Sequence, residues 1–139
     1  MKTLAIIIAF ALTSFISHAQ DSLKTYTVKV TIENPLNAKG HVLIGLHSAD
    51  TFMKADGIQS AKVKVIDGQA IASFENVKQG NYAVMVVHDE NDNSRMDFEA
   101  NGMPKENYGM SNNPMLMGPP NFNDAKFELK EDTEINIRF

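Results

Sequence analysis

The chain has 139 residues, 43% hydrophobic and 22% charged, with no cysteine and a formal charge of −4. That length fits one domain, and the apolar fraction is enough to build its core, so general disorder is excluded. The acidic balance argues against nucleic acid as a partner. The lack of cysteine excludes disulfides, thiolate metal sites and thiol catalysis.

Residues 1–20 read MKTLAIIIAFALTSFISHAQ. Lys2 opens a short positive region, Leu4 to Ile16 is apolar, and Ser17-His18-Ala19 places small residues where a signal peptidase reads. The pattern predicts a signal peptide over 1–19 and an exported chain, periplasmic or secreted. The apolar run is shorter than the roughly 20 residues that cross a bilayer, so no membrane span is expected after cleavage. The mature domain, 20–139, keeps every basic residue except Lys2 and all 17 acidic ones.

Beyond Asp21 the dominant period is two. Tyr26, Val28, Val30 and Ile32 share one face of a first strand, and Val42, Ile44 and Leu46 one face of a second, over His41–His47. Ala61 to Ile66 alternates Val63 and Val65 with Lys62 and Lys64. Asp67-Gly68 follows, a strong hairpin signal, with a return strand over Ala70–Phe74. Asn81 to His88 is almost continuously apolar, as a central strand covered on both faces would be. Two late strands, Ala125–Leu129 and Glu134–Phe139, close the chain. Ser48–Ile58 has room for a helical turn or two and no more. Seven short strands without a long helix predict an all-β fold, an antiparallel β-sandwich of immunoglobulin-like or transthyretin-like style. Tyr82, after Gly80 at the entry to the central strand, fits a corner whose hydroxyl ties back to upstream backbone.

The stretch from Asp89 to Asp124 has no sustained period, yet Phe98, Tyr108, Phe122 and several methionines make it too apolar for a tether. One long ordered loop, 89–124, is therefore expected, and function is expected there. Asp89, Asn91, Asn93 and Asp97 stand at relative positions 1, 3, 5 and 9, with the Arg95 carbonyl at 7 and Glu99 in reserve. Alternate oxygen ligands at this spacing suit Ca²⁺, a hard cation that takes six to eight oxygens. The match is not to an EF-hand, because Ser94 replaces the turn glycine and Ala100 the final glutamate. The same residues also favour an Asx-rich turn that needs no metal.

His88 ends the central strand beside Asp89. It reads either as a general base of a metal-assisted hydrolase or periplasmic processing enzyme, or as a side chain satisfied by loop backbone. His41 and His47 share a face of the second strand. Met96, Met103, Met110, Met115 and Met117 admit a carrier of soft metal ions, with His as a further ligand. Gap-filling under the loop is the better reading of so dispersed a set. No nucleophile elbow, phosphate loop or zinc-protease helix is present in the sequence.

Several blocks carry a resemblance: Gly80-Asn81-Tyr82-Ala83-Val84, His88 to Asn93 with Asp97, Gly102 to Glu106, Tyr108 to Asn113, and Gly118 to Phe122 with Ala125. On these the mature chain resembles the domain-of-unknown-function family 2141. The resemblance implies an exported bacterial sandwich, related in style to transthyretin-like and carboxypeptidase-regulatory domains, and no established activity. Its members often carry glycine where this chain has Asp92 and Ser94. The combined expectation is a non-enzymatic exported module with a Ca²⁺-binding acidic loop. Its recognition surface, made by His88, Phe98, Tyr108 and Phe122, would face a protein or carbohydrate ligand.

Overall fold

The computed structural model describes residues 24–139. The expected signal peptide and its cleavage site lie outside the described residues. Among those described, no helix is long and apolar enough to cross a membrane.

Eight strands form two open sheets. Strands β1 (Thr25–Glu33), β2 (His41–His47), β3 (Gln59–Val63), β4 (Gln69–Lys78) and β5 (Gly80–Asp89) come first, and β6 (Tyr108–Met110) follows the acidic loop. A single turn of helix, α1 (Phe122–Ala125), precedes β7 (Phe127–Leu129) and β8 (Thr133–Arg138). One sheet has the order β4-β1-β8. The other runs β3-β2-β5-β6, with β7 paired to the start of β5. Period-two alternation sends Val28, Val30 and Ile32 of β1 and Val42, Ile44 and Leu46 of β2 into one shared core, all at most 1% exposed. Each such side chain contributes about 1.5–3 kcal/mol by leaving water.

The structure corrects the seven-stranded antiparallel expectation in three places. First, the loop 89–124 is interrupted by β6, three residues too short to show a period. Second, β8 pairs with β1 in parallel, Val30 lying opposite Ile135 and Ile32 opposite Ile137. Alternation fixes which residues face inward and says nothing about strand direction. Third, Asp67-Gly68 forms a tight turn with φ of 50° and 76°, closed by Ile66 and Gln69, but no hairpin follows. The flanking strands separate at once, β3 joining β2 and β4 joining β1. The turn is a corner between sheets.

Ser48–Ala55 forms two successive turns rather than a helix, and Met53 there sits at φ 57°. The Tyr82 hydroxyl donates to the Lys78 carbonyl at 2.9 Å, the corner its position implies.

Candidate functional site

The acidic turn begins where β5 ends. Asp89 is fully buried, and its two carboxylate oxygens accept the backbone N–H groups of Asn93 (3.1 Å) and Ser94 (2.7 Å). Asn91 Oδ1 accepts from the Asn93 N–H at 3.2 Å, and Asn93 Oδ1 from the Arg95 N–H at 3.0 Å. The amide nitrogens of Asn91 and Asn93 both donate to Asp97 Oδ2 at 2.7 Å. Four of the five expected ligands therefore converge. To coil this tightly the backbone turns left-handed at Asp92 (φ 60°) and Ser94 (φ 62°). Glu99 does not join them. It is exposed, and its N–H bonds the Met103 carbonyl at 2.7 Å in a separate turn.

Asp92 faces outward, accepting from His41 Nδ1 at 2.5 Å and pairing with Lys62 Nζ at 3.2 Å. Those bonds, His41 first, hold its carboxyl below the usual carboxylate range. Asp97 is lowered too, chiefly by the Asn91 amide. Lys62 also donates to Ser94 Oγ at 3.2 Å, so β2 and β3 hold the turn from one side. On the other, Glu106 accepts the Asp97 N–H at 3.2 Å. The sequence reading missed His41, Lys62 and Glu106 because they lie outside the motif. Their signal is charge alone. The β1–β2 connection closes in at Gly40 (φ 61°), where a Cβ would fall 1.9 Å from the Asp89 carbonyl oxygen.

The base reading of His88 does not fit its place. The ring is fully buried, donates from Nε2 to the Lys39 carbonyl at 2.9 Å and stacks on Phe139. Asp89, the next residue, points to the opposite face of the strand. Phe98 is 58% exposed and pins nothing, whereas Tyr108 and Phe122 pack with Phe52 and Met110 in a second apolar cluster. Met110 fills that cluster as expected, but Met103, Met115 and Met117 are exposed. Among the described residues, no three His, Asp or Glu side chains form a metal-holding group.

A cleft of about 660 Å³ opens on the outer face of the larger sheet. Its floor is Leu43 and Gly45 of β2 with Met85 and Val87 of β5. The turn after β2 walls one end, and Ser94 and Met96 of the acidic loop wall the other. The apolar run over 81–88 was the sequence signal for it, since both faces of β5 are apolar but only part of the outer one is covered.

A family model described as "Uncharacterized protein conserved in bacteria (DUF2141)" matches residues 30–137. The chain belongs to this family. No curated protein and no solved structure matches it significantly. In this DUF2141 chain the block Ser111-Asn112-Asn113 is structural. Ser111, fully buried, accepts the Val84 N–H at 2.9 Å and donates to the Ala125 carbonyl at 2.5 Å. Asn112 donates to the Lys126 carbonyl at 2.9 Å, and the Asn113 amide bonds the backbone of Asn136 and Arg138 at 2.9 Å each. These three side chains bind the end of β6 to α1 and β8.

Proposed function

We propose that this chain is an exported, non-catalytic binding module. Its ligand lies in the cleft over β2 and β5, and its acidic turn holds a Ca²⁺ ion that stiffens one wall of that cleft. The observation that carries this reading is that turn and cleft share residues. Ser94 and Met96, which line the cleft, sit within the coil drawn together by Asp89, Asn91, Asn93 and Asp97. Two carboxylates and two amides offer hard oxygen donors at the spacing Ca²⁺ uses, and the left-handed Ser94 supplies the bend that a glycine gives in other Ca²⁺ loops. Leu43, Met85 and Val87 favour an apolar ligand, such as hydrophobic side chains of a partner protein, over a carbohydrate, because no Phe, Tyr or Trp ring lines the cleft.

Extracellular Ca²⁺ sites work at dissociation constants of about 10⁻⁴–10⁻³ M. At about 1 mM Ca²⁺ and the tighter value, mass action adds about 1.4 kcal/mol. Calcium should then raise the melting temperature by about 3–6 °C, and chelator should reverse it. Asp97→Ala should abolish the increment, while Val30→Ala, a core lesion, should lower stability and leave the increment in place. Identical melting curves in chelator and in several millimolar Ca²⁺ would remove the ion from the reading.

A further inference from the structure

The histidine in the cleft is prepared in a way the proposed Ca²⁺ turn does not use. His47 is 9% exposed, edge-on to Phe52, and its Nδ1 meets Thr51 Oγ1 at 3.3 Å. The Thr51 hydroxyl donates to the Ser48 carbonyl at 3.4 Å, so it accepts from the imidazole, and the ring proton belongs on Nδ1. Nε2 is left with a free lone pair. Burial, the largest influence on this ring, pushes its pKa below the ordinary histidine value and keeps it neutral near pH 7.

That lone pair lies over the cleft floor. A Cβ on Gly45 would sit 2.6 Å from His47 Nε2. Gly45 pairs directly with Met85 across β2 and β5. Such partners hold their Cβ positions about 4.5–5.5 Å apart, within reach of a methionine thioether. Met53, from the turn after β2, and Met96, from the acidic loop, line the same cleft. The imidazole and the thioethers of Met85 and Met53, the latter 59% exposed at the mouth, thus lie at one end of a largely apolar cleft, with Met96 at the other. The neighbouring charges do not oppose a cation: Lys62 is engaged by Asp92, and Asp56 also lines the cleft.

We propose that the cleft binds a single Cu(I) ion through His47 Nε2 and the sulfur of Met85, with Met53 completing the coordination from the turn after β2. Thioether and neutral imidazole are soft donors, which suit Cu(I) and serve Ca²⁺ or Mg²⁺ poorly. The site is chemically separate from the oxygen-lined turn. Thr51 is a positioning residue, fixing the tautomer as the hydrogen-bond partners of metal-bound histidines do. The inference rests on the cleft being a binding site and places a metal ion at its His47 end, beside the apolar floor of Leu43 and Val87 that suits a partner's side chains.

The test is an anaerobic Cu(I) titration against a competing chromophoric chelator, with the methionine methyl resonances followed by NMR. The expected result is a single equivalent bound, with shifts at Met53 and Met85 and none at Met96, Met103, Met115 and Met117. Met85→Leu, which keeps the volume, should melt like the parent and lose that binding. Thr51→Val should weaken it by about 10–100-fold and let the proton redistribute between the ring nitrogens, visible in their ¹⁵N shifts. Absence of binding, or shifts that leave Met85 unmoved, overturns the proposal. A parallel titration with anilinonaphthalene sulfonate separates the two readings. Methyl shifts in the cleft with this probe but not with Cu(I) defeat the metal alone, and no response to either defeats the cleft as well.

Discussion

The two halves of the chain between β5 and β7 are held in place by opposite means. From Asp89 to Glu106 the order comes from polar bonds, in which side-chain oxygens stand in for missing backbone partners and charge pairs reach β2 and β3. From Tyr108 to Ala125 it comes chiefly from burial, with Met110 and Ala125 at 1% exposure or less and Phe122 edge-on to Phe52 at 5.8 Å, the bonds of Ser111 to Asn113 fastening the packed cluster to its neighbours. The difference teaches which half can change shape. A hydrogen-bonded coil can exchange its donors for a cation with small movements, whereas a packed cluster cannot open without exposing apolar surface.

That contrast can be broken from either side. Met110→Ala should cost the most, about 2–5 kcal/mol in denaturant unfolding, and should leave any Ca²⁺ increment unchanged because the lesion lies in the packed half. Asp89→Ala strands the Ser94 N–H and leaves that of Asn93 to Asn91 alone, so about 1–3 kcal/mol is expected, with the Ca²⁺ increment lost as well. Equal sensitivity of the increment to both variants would contradict the division. Ser94→Gly relieves a left-handed serine and should add up to about 1 kcal/mol, less whatever its bond to Lys62 contributes.

Acid sharpens the comparison at the smallest scale. Asp92 and Asp97 titrate below the ordinary carboxylate value of 3.8, so their contribution is present above that value. It is lost only as pH falls through their lower folded values. Asp92 is exposed and Asp97 only half-buried, so the effect is local. On acidification the side-chain amide signals of Asn91 and Asn93 should hold down to about pH 4 and collapse below it, while methyl signals of Met110 stay in place.

The sandwich strands, the Tyr82 corner and the gathering of Asp89, Asn91, Asn93 and Asp97 were legible because each rests on local spacing. Alternation names an inward face, and Asx side chains bond backbone two to five residues away. Pairing partners were not legible. The period of residues 134–139 is the same whether β8 runs with β1 or against it, and Asp67-Gly68 marks a turn whether or not its strands stay together. The cleft was missed for a related reason. Met85 and Val87 read as buried, but whether a loop covers a strand's outer face is decided by residues far along the chain. His88 was ambiguous in the sequence, and only the Lys39 carbonyl and the Phe139 ring show that it closes the core.

The parallel pairing of β8 with β1 has a consequence for how the domain forms. Lys29 bonds Glu134 at 2.8 Å across a separation of 105 residues, so the central strand of the smaller sheet gains its second neighbour only through one of the longest loop closures the chain can make. Contacts of that span slow folding, because the entropy of closure is lost before the pairing compensates it. On a ribosome or a translocation channel delivering the chain from its N-terminus, β1 would wait with one edge bare until residues 133–138 emerged. Val28, Val30 and Ile32 form an apolar, β-branched row beside that edge, the kind of segment that recruits other chains. Deleting residues 133–139 should therefore leave that edge bare and increase self-association, through the strand the sequence declares most clearly.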